Sequence, residues 1–141
     1  MKEKLKEKIL TLLNTEDHTE DYSFEEIESG KTLSIVSYLI PLVPFILSKK
    51  NSYVHYHTAN GMNILFSYLI FLILKRTLSY IFGTPCDLIS GIKCMILPLS
   101  LRIIFAFINM LFSFIVLLGL LNVCNNKAKE LPFISKIKFF K

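Results

Sequence analysis

Between Lys31 and Asn125 the chain carries a single carboxylate, Asp87. Paired acids for general acid–base work, or a carboxylate relay moving protons through a membrane, need more than one. Cysteine is scarce as well. Cys86, Cys94 and Cys124 are an odd number without paired spacing, which argues against a disulfide framework. Cys86 and Cys94 lie in one loop and form a pair only if that loop faces an oxidising compartment. The histidines His18, His55 and His57 add no metal pattern to these cysteines. His55 and His57 are two apart, which on a helix points them to different faces, and a zinc site needs further ligands at compatible spacing. There is no Gly-rich phosphate loop and no Gly-x-Ser-x-Gly. The expected catalytic, cofactor-binding and metal residues are therefore none, and the expected function is non-enzymatic. Nor does a signal peptide open the chain, because Met1 to Lys8 alternates Lys and Glu and the apolar patch Ile9 to Leu13 is too short.

What the chain has in abundance is apolar sequence in long blocks. Hydrophobic residues make up 52% of 141 residues and mean hydropathy is +0.51, more than the polar surface of a soluble domain this small allows. Crossing about 30 Å of hydrocarbon takes about 20 helical residues. Three stretches meet that need, at about 31–49, 60–82 and 99–123. The first has only Leu33 to Leu47 as its apolar run and reaches full length through the stems of Lys31 and Lys49. It also holds Pro41 and Pro44, which remove backbone donors and predict a kink. The second is interrupted by Lys75 and Arg76, and the third has Arg102 near its start. All three cations fall toward the same far side, where snorkelling accounts for them. Asn109, Ser113, Gly119 and Asn122 in the third span are expected to face other helices rather than lipid.

The fold class expected is thus an all-α polytopic membrane domain over 31–124 with three transmembrane helices, four being the alternative if Cys86 to Arg102 also crosses. Leu88 to Leu97 is otherwise a far-side loop or interfacial half-helix. Residues 1–30 are expected as a polar amphipathic helix (about 2–14) and an acidic, mobile linker. Residues 125–141 form a basic tail whose Phe133, Ile134, Ile137, Phe139 and Phe140 alternate loosely with Lys136, Lys138 and Lys141, a pattern suited to anionic lipid headgroups. Residues 1–31 hold five lysines against nine acids, while the remainder has a net charge of +9 interleaved with apolar spans, which points to lipid and not to nucleic acid. Three spans would put the hinge 48–60 and the tail on one side with seven lysines against five cations on the other, a cytoplasmic placement by the positive-inside rule.

The hinge between the first two spans holds the most distinctive residues. His57 and Asn60 are three apart and share a helix face, Asn60 is placed to cap the second span, and Tyr53 and Tyr56 are placed as interfacial anchors. Tyr38-Leu-Ile-Pro-Leu-Val-Pro44, Lys49-Lys50 and Tyr53-Val-His-Tyr-His57-Thr-Ala-Asn60-Gly61, taken in order, resemble a widespread family of small bacterial membrane proteins with a His-x-x-Gln-Gly hinge. Leu118-Gly-Leu-Leu-Asn122 and the following Leu131-Pro132 resemble that family's ending. The family is itself similar to the small polytopic Tic subunit of the chloroplast inner-envelope protein-import translocon. The resemblance covers about residues 32–138 and maps the family's histidine and glycine to His57 and Gly61. The family's glutamine is Asn60 here, one methylene shorter. It implies an integral protein of a bacterial cytoplasmic membrane acting as a translocon-like or membrane-assembly component, with His57 and Asn60 as a polar contact. The alternatives are an immunity or stress protein that binds another membrane protein or toxin, and a small transporter subunit. The expected partners are the bilayer and other membrane proteins.

Overall fold

The computed structural model describes residues 15–47, 50–87, 93–132 and 134. The amphipathic helix expected at 2–14, and most of the tail beyond Pro132, lie outside the described residues. Within them the chain is mostly helical, as expected, with one small antiparallel hairpin.

Helix α1 (Phe24–Leu39) starts inside the stretch expected to be a mobile linker. The reason is a complete capping box. Ser23 Oγ accepts from the Glu26 amide at 3.3 Å, and the Glu26 carboxylate accepts from the Ser23 amide at 3.2 Å. Two otherwise unpaired donors are thereby satisfied, and Tyr22 packs with Ile27 just beyond the cap. A 3-10 turn at Thr19–Asp21 precedes the helix, so the acidic segment is ordered by local hydrogen bonds despite its charge.

The first expected span is not one helix. Helix α1 ends at Leu39, Ile40 leaves helical geometry, and α2 (Leu42–Leu47) follows as a separate piece of six residues. Pro41 has no amide for the Ser37 carbonyl, so the predicted kink becomes a full break. Helix α3 (Ser52–Phe82) then runs for 31 residues, about 46 Å by helical rise. It ends where the second span was expected to end but starts eight residues earlier, so most of the hinge is helical. Its N-cap is Asn51, whose Oδ1 accepts from the Val54 amide at 3.1 Å, and not Asn60, which lies two turns further in.

Strands β1 (Thr84–Asp87) and β2 (Lys93–Ile96) pair antiparallel, with Thr84 opposite Ile96 and Cys86 opposite Cys94. Lys93–Ile96 is thus a strand where a loop or half-helix was expected, and residues 88–92 of that stretch lie outside the described residues. Helix α4 (Leu99–Cys124) matches the third span. It closes on Asn126 in the left-handed region (φ 58°), with the Lys127 amide on the Asn122 carbonyl and the Asn126 amide on the Val123 carbonyl, a Schellman ending.

Two compact units share the long helices. The first takes the chain through Leu65 and resumes at Phe114. In it α1 and α3 run parallel, Ile27 packing with Tyr53 near their starts and Ser37 reaching Thr58 further along. α4 runs antiparallel to α1, since Lys31 meets the Cys124 carbonyl and Tyr38 meets Gly119. The second unit, Phe66–Ser113, is filled by Phe71, Leu97 and Phe105, with Tyr68 and Phe112 stacked against them. Among the described residues α3 and α4 are the two helices long and apolar enough to cross a membrane, and both leave large apolar side chains outside, Ile73 at 67% and Ile103 at 62% exposure.

Candidate functional site

The first unit is built around one histidine. His57, fully buried, stands two turns into α3 with Tyr53 and Tyr56 on the same helix packed edge-on to its ring, centroids 4.6 and 5.3 Å away. From α1, the Tyr38 hydroxyl meets His57 Nδ1 at 2.9 Å. The ring also faces the Lys127 backbone on the segment that follows α4. His57 therefore joins α1, its own helix α3 and the segment that follows α4. One turn further, Asn60 is half-buried with its side chain beside the Tyr38 and Tyr56 hydroxyls. Among the described residues five buried polar atoms of this unit have no hydrogen-bond partner of good geometry: Ser34 Oγ, the Tyr53 and Tyr56 hydroxyls, His57 Nε2 and Asn60 Nδ2. Such groups are costly in an apolar interior and mark the node as a polar interior, not an oily core.

Two glycines make the node possible. At Gly61 a Cβ would overlap the carbonyl oxygen of Ser37, the group that Pro41 leaves without its helical donor. The freed carbonyl thus packs on the α-carbon of α3, and the proline and the glycine of the motif act as one device. At Gly119 a Cβ would run into the Tyr38 ring, so the tyrosine that holds His57 lies flat on α4. Beside these contacts Ser37 Oγ and Thr58 Oγ1 bond at 3.0 Å, and each also donates to, or shares, its own helix's carbonyl one turn back.

At the open end of the unit, the N-terminal segment is laced to the segment after α4. Asp17 bridges Lys129 in an antiparallel pair, the His18 amide donates to the Ala128 carbonyl, and the Glu130 amide donates to the Glu16 carbonyl, both at 3.0 Å. Ala128, Leu131 and Ile134 are buried, so the start of the tail is docked on protein. His18 Nδ1 is 3.3 Å from Asp21, with Glu16 and Glu130 each 3.8 Å from Nε2, an ion-pair clasp when the imidazole is protonated. Hydrogen bonds from Thr19 hold the Asp17 carboxyl below its ordinary range. Burial, and then Asp21 and Glu26, push the Tyr22 hydroxyl up. Lys31 Nζ donates to the Cys124 carbonyl at 3.0 Å, a cation on the negative end of α4, where its stem was expected simply to snorkel.

The structure thus brings His57, Asn60, Gly61 and Pro41 into one node; Pro44 is also buried. It leaves Lys75, Arg76 and Arg102 in the other unit. There Arg76 is exposed, stacked 5.1 Å over the Tyr80 ring and donating to its hydroxyl, while Lys75 is half-buried. Both line a groove of about 570 Å³ with Leu72, Ile73, Ser79 and Leu97. Arg102 is exposed in the first turn of α4. His55 is exposed, on a different face from His57 as its spacing predicts. Sequence reasoning missed Asn51 and the Ser23–Glu26 box. The box is legible as Ser-x-x-Glu before Ile27; Asn51 caps α3 locally and also bonds to Glu26 and Ser29, which are distant in sequence. Of the polar residues expected to face helices, Asn109 accepts from Tyr68 at 3.1 Å and Asn122 donates to the Lys129 carbonyl at 3.1 Å. Comparison of the chain with protein-family models, with curated proteins and with solved structures found no match.

Proposed function

We propose that the protein is a non-enzymatic integral membrane component that works by contact with other membrane proteins, of the membrane-assembly or translocon-like kind, in a bacterial cytoplasmic membrane. The observation that carries this is the pairing of two long helices whose large apolar residues face outward with a polar node that is buried among helices. Helices with that surface need lipid or other apolar helices around them. His57 has no exposure and is ringed by tyrosines, an arrangement suited to pinning helices and poorly suited to reaching a substrate. The resemblance of the Pro41, His57 and Gly61 region to the translocon-like family supports the same reading. Lys75, Arg76 and Arg102 then sit as snorkelling cations toward the far interface.

The test is retention in the membrane pellet after alkaline carbonate extraction, followed by photo-crosslinking from exposed Ile73 and Ile103. Crosslinks to several membrane proteins or to nascent chains support the assembly reading. Crosslinks to one toxin-like partner alone would replace it with the immunity reading, and release by carbonate would overturn both.

A further inference from the structure

The expectation of three spans puts the acidic N-terminal segment and the hinge on opposite sides of the membrane. The geometry points elsewhere. We propose that this first apolar stretch does not cross: residues 31–47 form a re-entrant hairpin that enters the acyl-chain region, turns at Ile40-Pro41 and heads back to the side it left. This inference rests on the membrane reading above and deepens it.

Three observations carry it. The first is direction. Helix α1 is parallel to α3, with the Glu26 carbonyl accepting from Asn51 Nδ2 at 2.9 Å at one end and the Ser37 carbonyl packed on Gly61 at the other. A helix that spans must be followed by an antiparallel one if the connecting loop is short. Here the next long helix starts again beside the beginning of α1, so the chain has already come back. From the level of Gly61 to that of Asn51 is about 15 Å by helical rise, a distance that α2 and the short link to Asn51 can cover. That depth is about half of a hydrocarbon core of about 30 Å.

The second is the shared end. Residues 16–18 pair with 128–130 by backbone hydrogen bonds, Lys31 caps the end of α4, and Asn51 is held by Glu26 and Ser29. The N-terminal segment, the start of α3 and the end of α4 therefore meet at one level. Two crossings by α3 and α4 satisfy this arrangement and an odd number of crossings does not.

The third is the chemistry of the hairpin. No charged residue occurs from Thr32 to Leu47, while Lys31 and Lys50 stand at its mouth. In α2, Pro44 is buried against protein, whereas Phe45, Ile46 and Leu47 are 50%, 68% and 65% exposed. That outward face is continuous in character with the apolar faces of α3 and α4, and its occupant is the acyl chains of the bilayer. Irregular backbone survives at such depth only when its polar groups are satisfied. Three amides around the turn are bonded: Ile40 donates to the Val36 carbonyl at 2.8 Å, Val43 to Ile40 at 3.1 Å and Phe45 to Pro41 at 3.2 Å, while the freed Ser37 carbonyl packs against the Gly61 α-carbon.

The experiment is side-specific labelling of single cysteines, each at an exposed position in a chain with Cys86, Cys94 and Cys124 replaced by serine: Glu20→Cys, Ser52→Cys, Lys127→Cys and Thr84→Cys. Membrane-impermeant maleimide is applied to intact spheroplasts and to inverted vesicles. Glu20→Cys, Ser52→Cys and Lys127→Cys should label from one common side and Thr84→Cys from the other. Labelling of Glu20→Cys from the side opposite Ser52→Cys would overturn the hairpin in favour of a crossing. A second arm places a nitroxide on Ile46→Cys in liposomes of phosphatidylethanolamine and phosphatidylglycerol. Collisions with oxygen should exceed those with a water-soluble nickel chelate several-fold; the reverse ratio would overturn insertion of α2 even with the shared side intact. Release of the unmodified protein by carbonate would instead remove the membrane reading itself, an outcome distinct from either.

Discussion

The same two helices, α3 and α4, pass through both units and are held in different ways in each. In the first, small and polar residues do the joining: Gly61 on the Ser37 carbonyl, Gly119 on the Tyr38 ring, and the Tyr38–His57 and Ser37–Thr58 bonds. In the second, rings do it: Phe71, Phe105, Phe112 and Tyr68 stack at 5.3–6.0 Å between centroids. In lipid, apolar side chains gain little by leaving one apolar surrounding for another, so association rests on close packing and on hydrogen bonds. Glycine contacts and the Tyr38–His57 and Ser37–Thr58 bonds supply both and specify one geometry. The aromatic stack, with the Tyr68–Asn109 hydrogen bond beside it, rests mainly on packing and tolerates adjustment.

That contrast can be broken at its strong side first. Gly61→Ala puts a methyl group into the Ser37 carbonyl, which is backbone and cannot rotate away, and should cost about 3 kcal/mol or more. Thermal unfolding of the purified protein in detergent, read by size-exclusion, checks it, and a variant as stable as the parent would dissolve the proline–glycine device. Gly119→Ala meets a side-chain ring that can shift, so about 1–3 kcal/mol is expected in the same assay. In the aromatic unit, Phe71→Leu keeps most of the volume and should cost less than either glycine change, about 1 kcal/mol.

Hydrogen bonding at the node can be separated from packing. Tyr38→Phe leaves His57 Nδ1 buried without its partner and should lose about 1–2 kcal/mol. His57→Asn, whose amide can stand near the position of Nδ1, should retain more stability than His57→Leu if the histidine is a pin. Equal losses would show that ring shape alone matters. The smallest effect is electrostatic. The depressed Asp17 carboxyl stabilises the docked tail above its ordinary value of 3.8, and that contribution is lost as pH falls below 3.8 through the lower folded value. An NMR titration should therefore find the His18 and Ala128 amide shifts unchanged by Asp17 between pH 7 and 5, and moving only in stronger acid.

Much of the long-helix architecture was legible in the sequence. The end of α3 at Phe82 and the start of α4 at Leu99 follow from where apolar runs meet Gly83-Thr-Pro85 and Pro98. The start of α3 was not, because Tyr53, His55, Tyr56 and His57 look like surface residues when read by polarity. On the helix they divide, His55 outward and His57 inward. The first apolar run is two helices and not one for a related reason: hydropathy counts residues that lipid tolerates and does not record whether a helix continues. Pro41 signalled the break; the packing of the Ser37 carbonyl on Gly61 joins two residues far apart in sequence. The site residues His57, Asn60 and Gly61 were found through resemblance, but their arrangement depends on Tyr38 and Gly119, which only the packed structure joins to them. Asn60 was assigned a cap that belongs to Asn51, since an asparagine's capping role depends on where the backbone leaves the helix and not on its own chemistry.

The account stands on α1 lying parallel beside the start of α3. Ser29 Oγ and Asn51 Nδ2 are 3.2 Å apart, so a Ser29→Cys/Asn51→Cys pair, in a chain otherwise free of cysteine, is placed to close a disulfide. Oxidation in native membranes with copper phenanthroline, read by mass as loss of both free thiols, should give rapid intramolecular closure. The control pair Ser29→Cys/Thr77→Cys, with Thr77 about 39 Å along α3 from Asn51, should stay reduced. Closure of the control pair and none at 29 and 51 would show that α1 runs the other way, and would contradict the node and the hairpin together.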